Sequence, residues 1–262
     1  MSRRWTIKEE NKKRRELIEL YERQNKTIKE VGKILGVAES TVFGQLKRLN
    51  ISTCPEKKSS FLCKRQNIAI PSSFSKELAE FVGIMLGDGH ISPTQARISI
   101  GMGEPEYVRY ICNLIKRIFA VKPKCFERLE SNVYIVYVGS VDLVKFLLNM
   151  GLATNKVKQQ VNIPRWIFSS REYNQGFLRG FFDTDGSIYK LRFGTQMSFC
   201  NHSIPLLQST RNILTDMNYH PSRISSWKIY LTRKLDLYRY AEDISFGNKK
   251  HFRKAKEFGI CV

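Results

Sequence analysis

Residues 81–89, FVGIMLGDG, and residues 178–186, LRGFFDTDG, are two copies of one pattern: an apolar helix with small residues four apart, closed by an Asp-Gly pair. In the first copy the small residues are Gly83 and Gly87, in the second Gly180 and Thr184. Residues at that spacing share one helical face, and small ones let two backbones approach closely. Packed through those faces, the helices bring Asp88 and Asp185 together at their C-terminal ends. There each carboxylate meets the negative end of a helix dipole and a second carboxylate, so a compensating cation is required. A lone Asp-Gly after a helix reads as a turn. Two copies in one context, each with its acid at the same end, point instead to a site. Asp183 has no such counterpart, because Leu86 holds its place in the first copy.

The segments downstream of each copy repeat as well. After the first come ARISIG, EYVRYICNLIKRIF, VYIVYVGS and VDLVKFLLNMG; after the second come QMSFCN, SIPLLQSTRNILTDM, WKIYLTR and KLDLYRYAEDISFG. Each half therefore predicts an αββαββα unit, over residues 76–163 and 164–262. The fold class is α+β, with two pseudo-symmetric halves. Antiparallel strands packed on one side alternate apolar and polar residues. The open faces are then assigned Gln95, Arg97 and Ser99 in one half, and Lys190, Arg192, Gln196, Ser198, Lys228, Tyr230 and Thr232 in the other. Tyr134, Tyr137, Phe146, Trp166, Phe168, Phe177, Phe181 and Phe182 are assigned to the core.

Residues 1–52 predict a small all-α domain. Leu17, Ile18, Leu20 and Tyr21 fall at helical spacing over residues 11–24, and Thr27 caps a second helix that stops at Gly36. A third begins near Glu39-Ser40. Gly32 at the crossing and Gly36 in the turn fit a helix-turn-helix, whose last helix offers Ser40, Thr41, Gln45, Lys47 and Arg48 to DNA. A non-binding or protein-binding trihelical bundle is the competing reading. Residues 53–75 mix Pro, Ser, Lys and Arg without periodicity and read as a basic linker.

Forty-four Lys and Arg against 24 Asp and Glu leave a formal net charge of +20, which implies a polyanionic partner. Residues 1–66 hold 17 basic and 8 acidic residues, so the surplus is shared rather than confined to a tail. Six cysteines without C-x-x-C or Cys/His spacing argue against zinc modules and disulfide frameworks. No signal-peptide pattern and no membrane-length apolar run is present, so a cytoplasmic or organellar-matrix, intracellular protein is expected, without a membrane partner.

With these residues in place, the chain resembles the LAGLIDADG homing endonucleases in their single-chain, two-motif form, over roughly residues 76–258. The resemblance implies a monomer whose two curved antiparallel sheets straddle a long double-stranded DNA site. It also implies Mg²⁺ or Mn²⁺ held by Asp88 and Asp185 with help from the carbonyls of Gly87 and Thr184, and hydrolysis of one phosphodiester per strand. The family adds a Lys or Gln at the end of the second strand of each half. Those places fall at Gly101–Gly103 and Asn201-His202, so His202 and Gln196 are the candidate auxiliary residues, with Lys190 or Lys234 reaching in. Two further functions fit the same scaffold: a non-cleaving DNA-binding regulator, and a maturase acting on intron RNA. An intact intein is not expected, since Met1 is no nucleophile and the C-terminus lacks the His-Asn ending.

Overall fold

The computed structural model describes residues 5–24, 26–51 and 68–261. The chain forms two compact units, residues 1–65 and 66–262. Most of the predicted linker, residues 53–67, lies outside the described residues, as do Cys54 and Cys63.

The first unit holds helix α1 (Ile7–Leu17), which continues as a π-helical turn (Ile18–Arg23), then α2 (Ile28–Leu35) and α3 (Glu39–Arg48). The first helix starts earlier than its apolar periodicity indicates, because Thr6 and Glu9 form a capping box: the Thr6 N–H donates to the Glu9 carboxylate at 2.9 Å. Thr27 and Glu30 repeat the device on α2. Gly36 ends α2 with φ +65°, and a Cβ on Gly32 would lie 2.7 Å from the Val37 carbonyl. Leu17, Tyr21, Val31, Val42 and Leu46 close the core of this unit.

The first half of the larger unit runs α4 (Lys76–Leu86), β1 (Gly89–Ser92), β2 (Gln95–Gly101), α5 (Pro105–Phe119), β3 (Lys124–Arg128), β4 (Val133–Val138) and α6 (Val141–Asn149). Its antiparallel sheet has the order β1-β2-β4-β3. The second half runs α7 (Arg171–Asp185), β5 (Gly186–Leu191), β6 (Gly194–Cys200), α8 (Ile204–Asp216), β7 (Lys228–Leu231), α9 (Lys234–Asp243) and α10 (Lys249–Glu257), with a sheet ordered β5-β6-β7. The fold is α+β with antiparallel sheets.

The second half departs from the expected αββαββα repeat among the described residues: it has one strand fewer and one helix more, α10. Among the described residues the second sheet has three strands. Ahead of β7, the Ser222 N–H donates to the Tyr230 carbonyl at 2.9 Å, as a fourth strand would. The return bond goes astray: the Tyr230 N–H donates to the Ser222 hydroxyl at 3.0 Å, while Arg211 takes the Ser222 carbonyl. Pro221 offers no N–H, and only an isolated bridge, Ser225 with Lys228, survives.

Helices α4 and α7 meet backbone to backbone. A Cβ on Gly83 would collide with the Phe177 carbonyl and lie 2.7 Å from the Phe181 nitrogen; one on Gly180 would collide with the Glu80 carbonyl. Gly176, which the repeat does not single out, is equally closed by the Lys76 carbonyl. Beside this seam Phe177, Phe181 and Phe182 are fully buried and join Phe199 and Tyr240 in an aromatic cluster. Each such ring contributes roughly 2–3 kcal/mol of burial. Tyr137 and Phe168 depart from the expected core set: Tyr137 pairs with Arg97 on the open face of the first sheet, and Phe168 lies at the end of the short 3₁₀ turn Arg165–Ser169 and is exposed. Its neighbour Trp166 instead stacks on Phe74 at 4.2 Å. Together with the Ala69 N–H bond to the Phe119 carbonyl, that stack docks residues 68–75 onto the larger unit.

Candidate functional site

At the C-terminal ends of α4 and α7 the close helix contact delivers two acids to one place. A Cβ on Gly87 would lie 3.1 Å from the Asp185 carboxylate, so that side chain sits against the residue preceding Asp88. The Thr184 hydroxyl is turned back onto its own helix, donating to the Gly180 and Phe181 carbonyls. Asn201, at the end of β6, donates its side-chain amide to Asp185 Oδ2 at 2.6 Å.

The cation that this arrangement demands is Lys156. Its Nζ donates to the carbonyls of Leu86 at 3.0 Å and Met85 at 3.2 Å, and to that of Gly87. It lies within electrostatic reach of both Asp88 and Asp185. The loop that carries it is braced. Asn155 accepts from the Lys158 N–H, the buried Ser203 hydroxyl donates to the Val161 carbonyl at 2.6 Å, and Gln160 accepts from the Ile204 N–H.

These surroundings shift the charges. Loss of water pushes the Asp185 carboxyl up to about 7; the Asn201 amide and Lys156 oppose the rise, and the Asp88 charge adds to it. Asp88 is more open, yet loss of water on its protein side raises it to about 6 against the pull of Lys156, with Glu104 raising and Lys250 lowering it further out. Burial holds Lys156 below the usual ammonium range, and the two acids draw it back up. Among the described residues no three His, Cys, Asp or Glu side chains gather. The donors here are two carboxylates and the Gly87 carbonyl, oxygens only, around a spot that already attracts a positive charge. That set fits a hard divalent ion completed by water and phosphate oxygens.

The other sequence-assigned residues are spread more widely. The His202 ring packs against Trp227, and the residue at its strand end that touches the acid is Asn201. Gln196 donates to the Tyr189 hydroxyl at 3.0 Å, further along the β5–β6 hairpin. Lys234 opens α9 over the Tyr238 ring and lines a cavity of about 340 Å³ with Phe193, Thr195 and Thr232. Gln95, Arg97 and Ser99 alternate with buried Ala96, Ile98 and Ile100, and Arg97 lies in one cross-strand row with His90, Tyr137 and Lys124. In the second sheet Gln196 and Tyr230 share a face with Ser187 and Tyr189, on which Lys228 also falls; Ser198 has the same parity but is buried rather than open. Lys190 is paired with Thr195 on the opposite parity, in line with buried Ile188, and Arg192 lies in the turn over Phe193. On α3, Ser40, Thr41, Lys47 and Arg48 are oriented differently from Gln45: Ser40, Thr41 and Arg48 are exposed, with Arg48 over the Trp5 ring, Lys47 lies over the Phe43 ring, and the Gln45 amide oxygen is enclosed.

Sequence reasoning passed over Lys156. One available signal was an Asn-Lys pair after the third helix of each half, Asn155-Lys156 and Asn248-Lys249. The second lysine is directed elsewhere. Buried Asp183 accepts from the Gly247 and Asn248 N–H groups at 2.8 and 3.1 Å, and Lys249 bonds Glu106 while Lys250 bonds Glu104. Asp183 thus fastens α10 rather than joining the paired acids.

Residues 172–245 match the family model for a LAGLIDADG-like domain. Among curated proteins, the chain is 26% identical over 203 residues to a replication factor C small subunit of Methanocaldococcus jannaschii, covering 71% of this chain and 10% of that protein. It is 24% identical over 194 residues to an isomerizing glutamine–fructose-6-phosphate aminotransferase of the same organism, covering 67% and 17%. The chain thus spans a small fraction of the length of these relatives. Among solved structures, variants of the homing endonuclease I-DmoI match with TM-score 0.49 and 15% identity, over 65% of this chain and 95% of that one. The N-terminal LAGLIDADG domain of DUF199/WhiA matches with TM-score 0.47 and 17% identity, over 70% and 89%. Among the described residues no helix is long and apolar enough to cross a membrane.

Proposed function

We propose that this chain is a site-specific DNA endonuclease of the LAGLIDADG homing type, dependent on Mg²⁺ or Mn²⁺, with residues 1–52 serving as a helix-turn-helix that adds DNA contact. The observation that carries the reading is the pair Asp88 and Asp185, pressed together by glycine-faced helices with a cation lodged at the carbonyls beneath them. A purely structural helix seam gains nothing from two acids at the negative ends of its dipoles. In the proposed reaction Asp88, Asp185 and the Gly87 carbonyl hold the ion, Asn201 orients Asp185, and the polar sheet faces with Arg97, Lys124 and Lys228 hold the phosphate backbone. A divalent ion bound there supplies water activation at neutral pH and charge neutralisation at phosphorus. The curated relatives support a portable module: proteins of unrelated names share most of this chain while it accounts for 10% or 17% of their length. The test is cleavage of a plasmid library in Mg²⁺, with Asp88→Asn and Asp185→Asn as controls. Absence of cutting by the wild type, or undiminished cutting by both variants, rejects the reading.

One observation favours a second reading. Lys156 already offsets part of the charge of the paired acids without a metal ion, as suits a protein that binds DNA without cutting it. Sequence-specific binding with no nicking in Mg²⁺ or Mn²⁺ would select that regulator.

A further inference from the structure

We propose that Lys156 is a tethered counter-ion that holds the place of the divalent ion, and that the two occupy the site in competition. This inference rests on the reading of the paired acids as a metal centre.

An ammonium has three donor directions and no acceptor. Those of Lys156 are spent on the carbonyls of Met85, Leu86 and Gly87, the last of which is a candidate ligand of the ion. Both carboxylates act on the same ammonium. A divalent ion bound to Asp88, Asp185 and the Gly87 carbonyl would share that oxygen with the ammonium and stand within a few ångströms of it. Two cations that close repel strongly where little water screens them, and here they also contest the Gly87 oxygen. One must withdraw, and the loop fixes which part moves. Residues 155–161 are held by the Asn155 turn, by Ser203 on Val161 and by Gln160 on Ile204, whereas the lysine stem is a flexible four-carbon chain. Withdrawal is therefore a rotation of the side chain that leaves its ammonium beside the site, free to meet a phosphate.

Without metal, Lys156 keeps two crowded carboxylates tolerable within the fold. With metal, the ion must displace it, so the measured affinity is weaker than the ligands alone would give, in the ratio of lysine-in to lysine-out states.

The test is a Mn²⁺ titration by calorimetry at pH 8, without DNA, of the full chain and of Lys156→Met. The variant is expected to bind about tenfold tighter or more, the signature of a removed competitor. Equal or weaker binding overturns the proposal. Because the variant bares two acids and can misfold, acetylation of wild-type lysines read by mass spectrometry supplies a second test. Lys156 should be shielded in the metal-free protein and modified roughly tenfold faster with Ca²⁺ present; an unchanged rate overturns the proposal. Should the wild type bind no ion while Lys156→Met does, the competition stands and the nuclease reading falls. Should the wild type bind and cut while Lys156→Met binds no tighter, the nuclease reading stands and the competition falls.

Discussion

Asn201 Nδ2 lies 2.6 Å from Asp185 Oδ2, whereas among the described residues no side-chain donor bonds Asp88. The two acids are thus supported unequally. A hydrogen bond to the ionised form favours that form, and one to a charged group is worth about 1.5–3 kcal/mol. Asn201→Ala should push the Asp185 carboxyl above its present value of about 7, by about one unit. The pH midpoint of Mn²⁺ binding should rise with it, because the ion takes the ionised acid. A midpoint that stays where it was would show that the amide only packs there.

The glycine seam gives a sharper expectation. Gly180→Ala puts a methyl into the Glu80 carbonyl, a backbone atom that cannot step aside, and the helices must separate. Loss of about 3 kcal/mol or more in thermal or denaturant unfolding is expected, at the high end for overpacking. Gly44→Ala is the contrast. A Cβ there meets nothing within 4 Å in the middle of α3, and should stabilise by about 0.5–1 kcal/mol. Equal effects of the two substitutions would show that the close approach of α4 and α7 is not what holds the larger unit.

Why these features were readable while others were not has a physical basis. Close packing of two helices imposes a strict rule on residue size, and Gly83, Gly87, Gly180 and Thr184 carry it openly in the sequence. Hairpin alternation did the same for Arg97 and Ser99. Lys156 obeys no such rule. It comes from an irregular loop far along the chain from Asp88, and what sets it in place is a set of loop bonds to Ser203 and Ile204 that no periodicity records. The missing fourth strand was equally silent, since the segment before β7 fails through one serine hydroxyl intercepting one N–H. Lys190 shows the limit of alternation near a turn: register places it opposite Thr195, on the side of Ile188.

Stability should respond to pH through the same acids. Asp185 titrates near 7 in the folded chain against about 3.9 in an unfolded one, so the folded state binds more protons between those values. Its favourable contribution is complete below the unfolded value and disappears as pH rises through about 7. Asp185→Asn should therefore stabilise the metal-free protein at pH 8, by on the order of 2 kcal/mol after allowance for partial exposure, and change little at pH 4. Melting curves of both proteins at the two pH values decide the matter. A variant less stable at pH 8 would mean that the pairing with Lys156 outweighs the cost of crowding.

The sheet faces make a prediction that needs no knowledge of the target. Arg97 and Lys124 lie in one cross-strand row of the first sheet, and Lys228 lies in β7 of the second. Removing one cation that neutralises a phosphate should lower the slope of log affinity against log salt by about one, whatever the sequence bound. Binding of a random 30-base-pair duplex by Arg97→Ala, Lys124→Ala and the double variant, followed from about 50 to about 200 mM salt, should show slopes reduced by about one, one and two. Cations that merely solvate the surface would leave the slope unchanged. That outcome would move the DNA to another face and detach the paired acids from any phosphate they could act on.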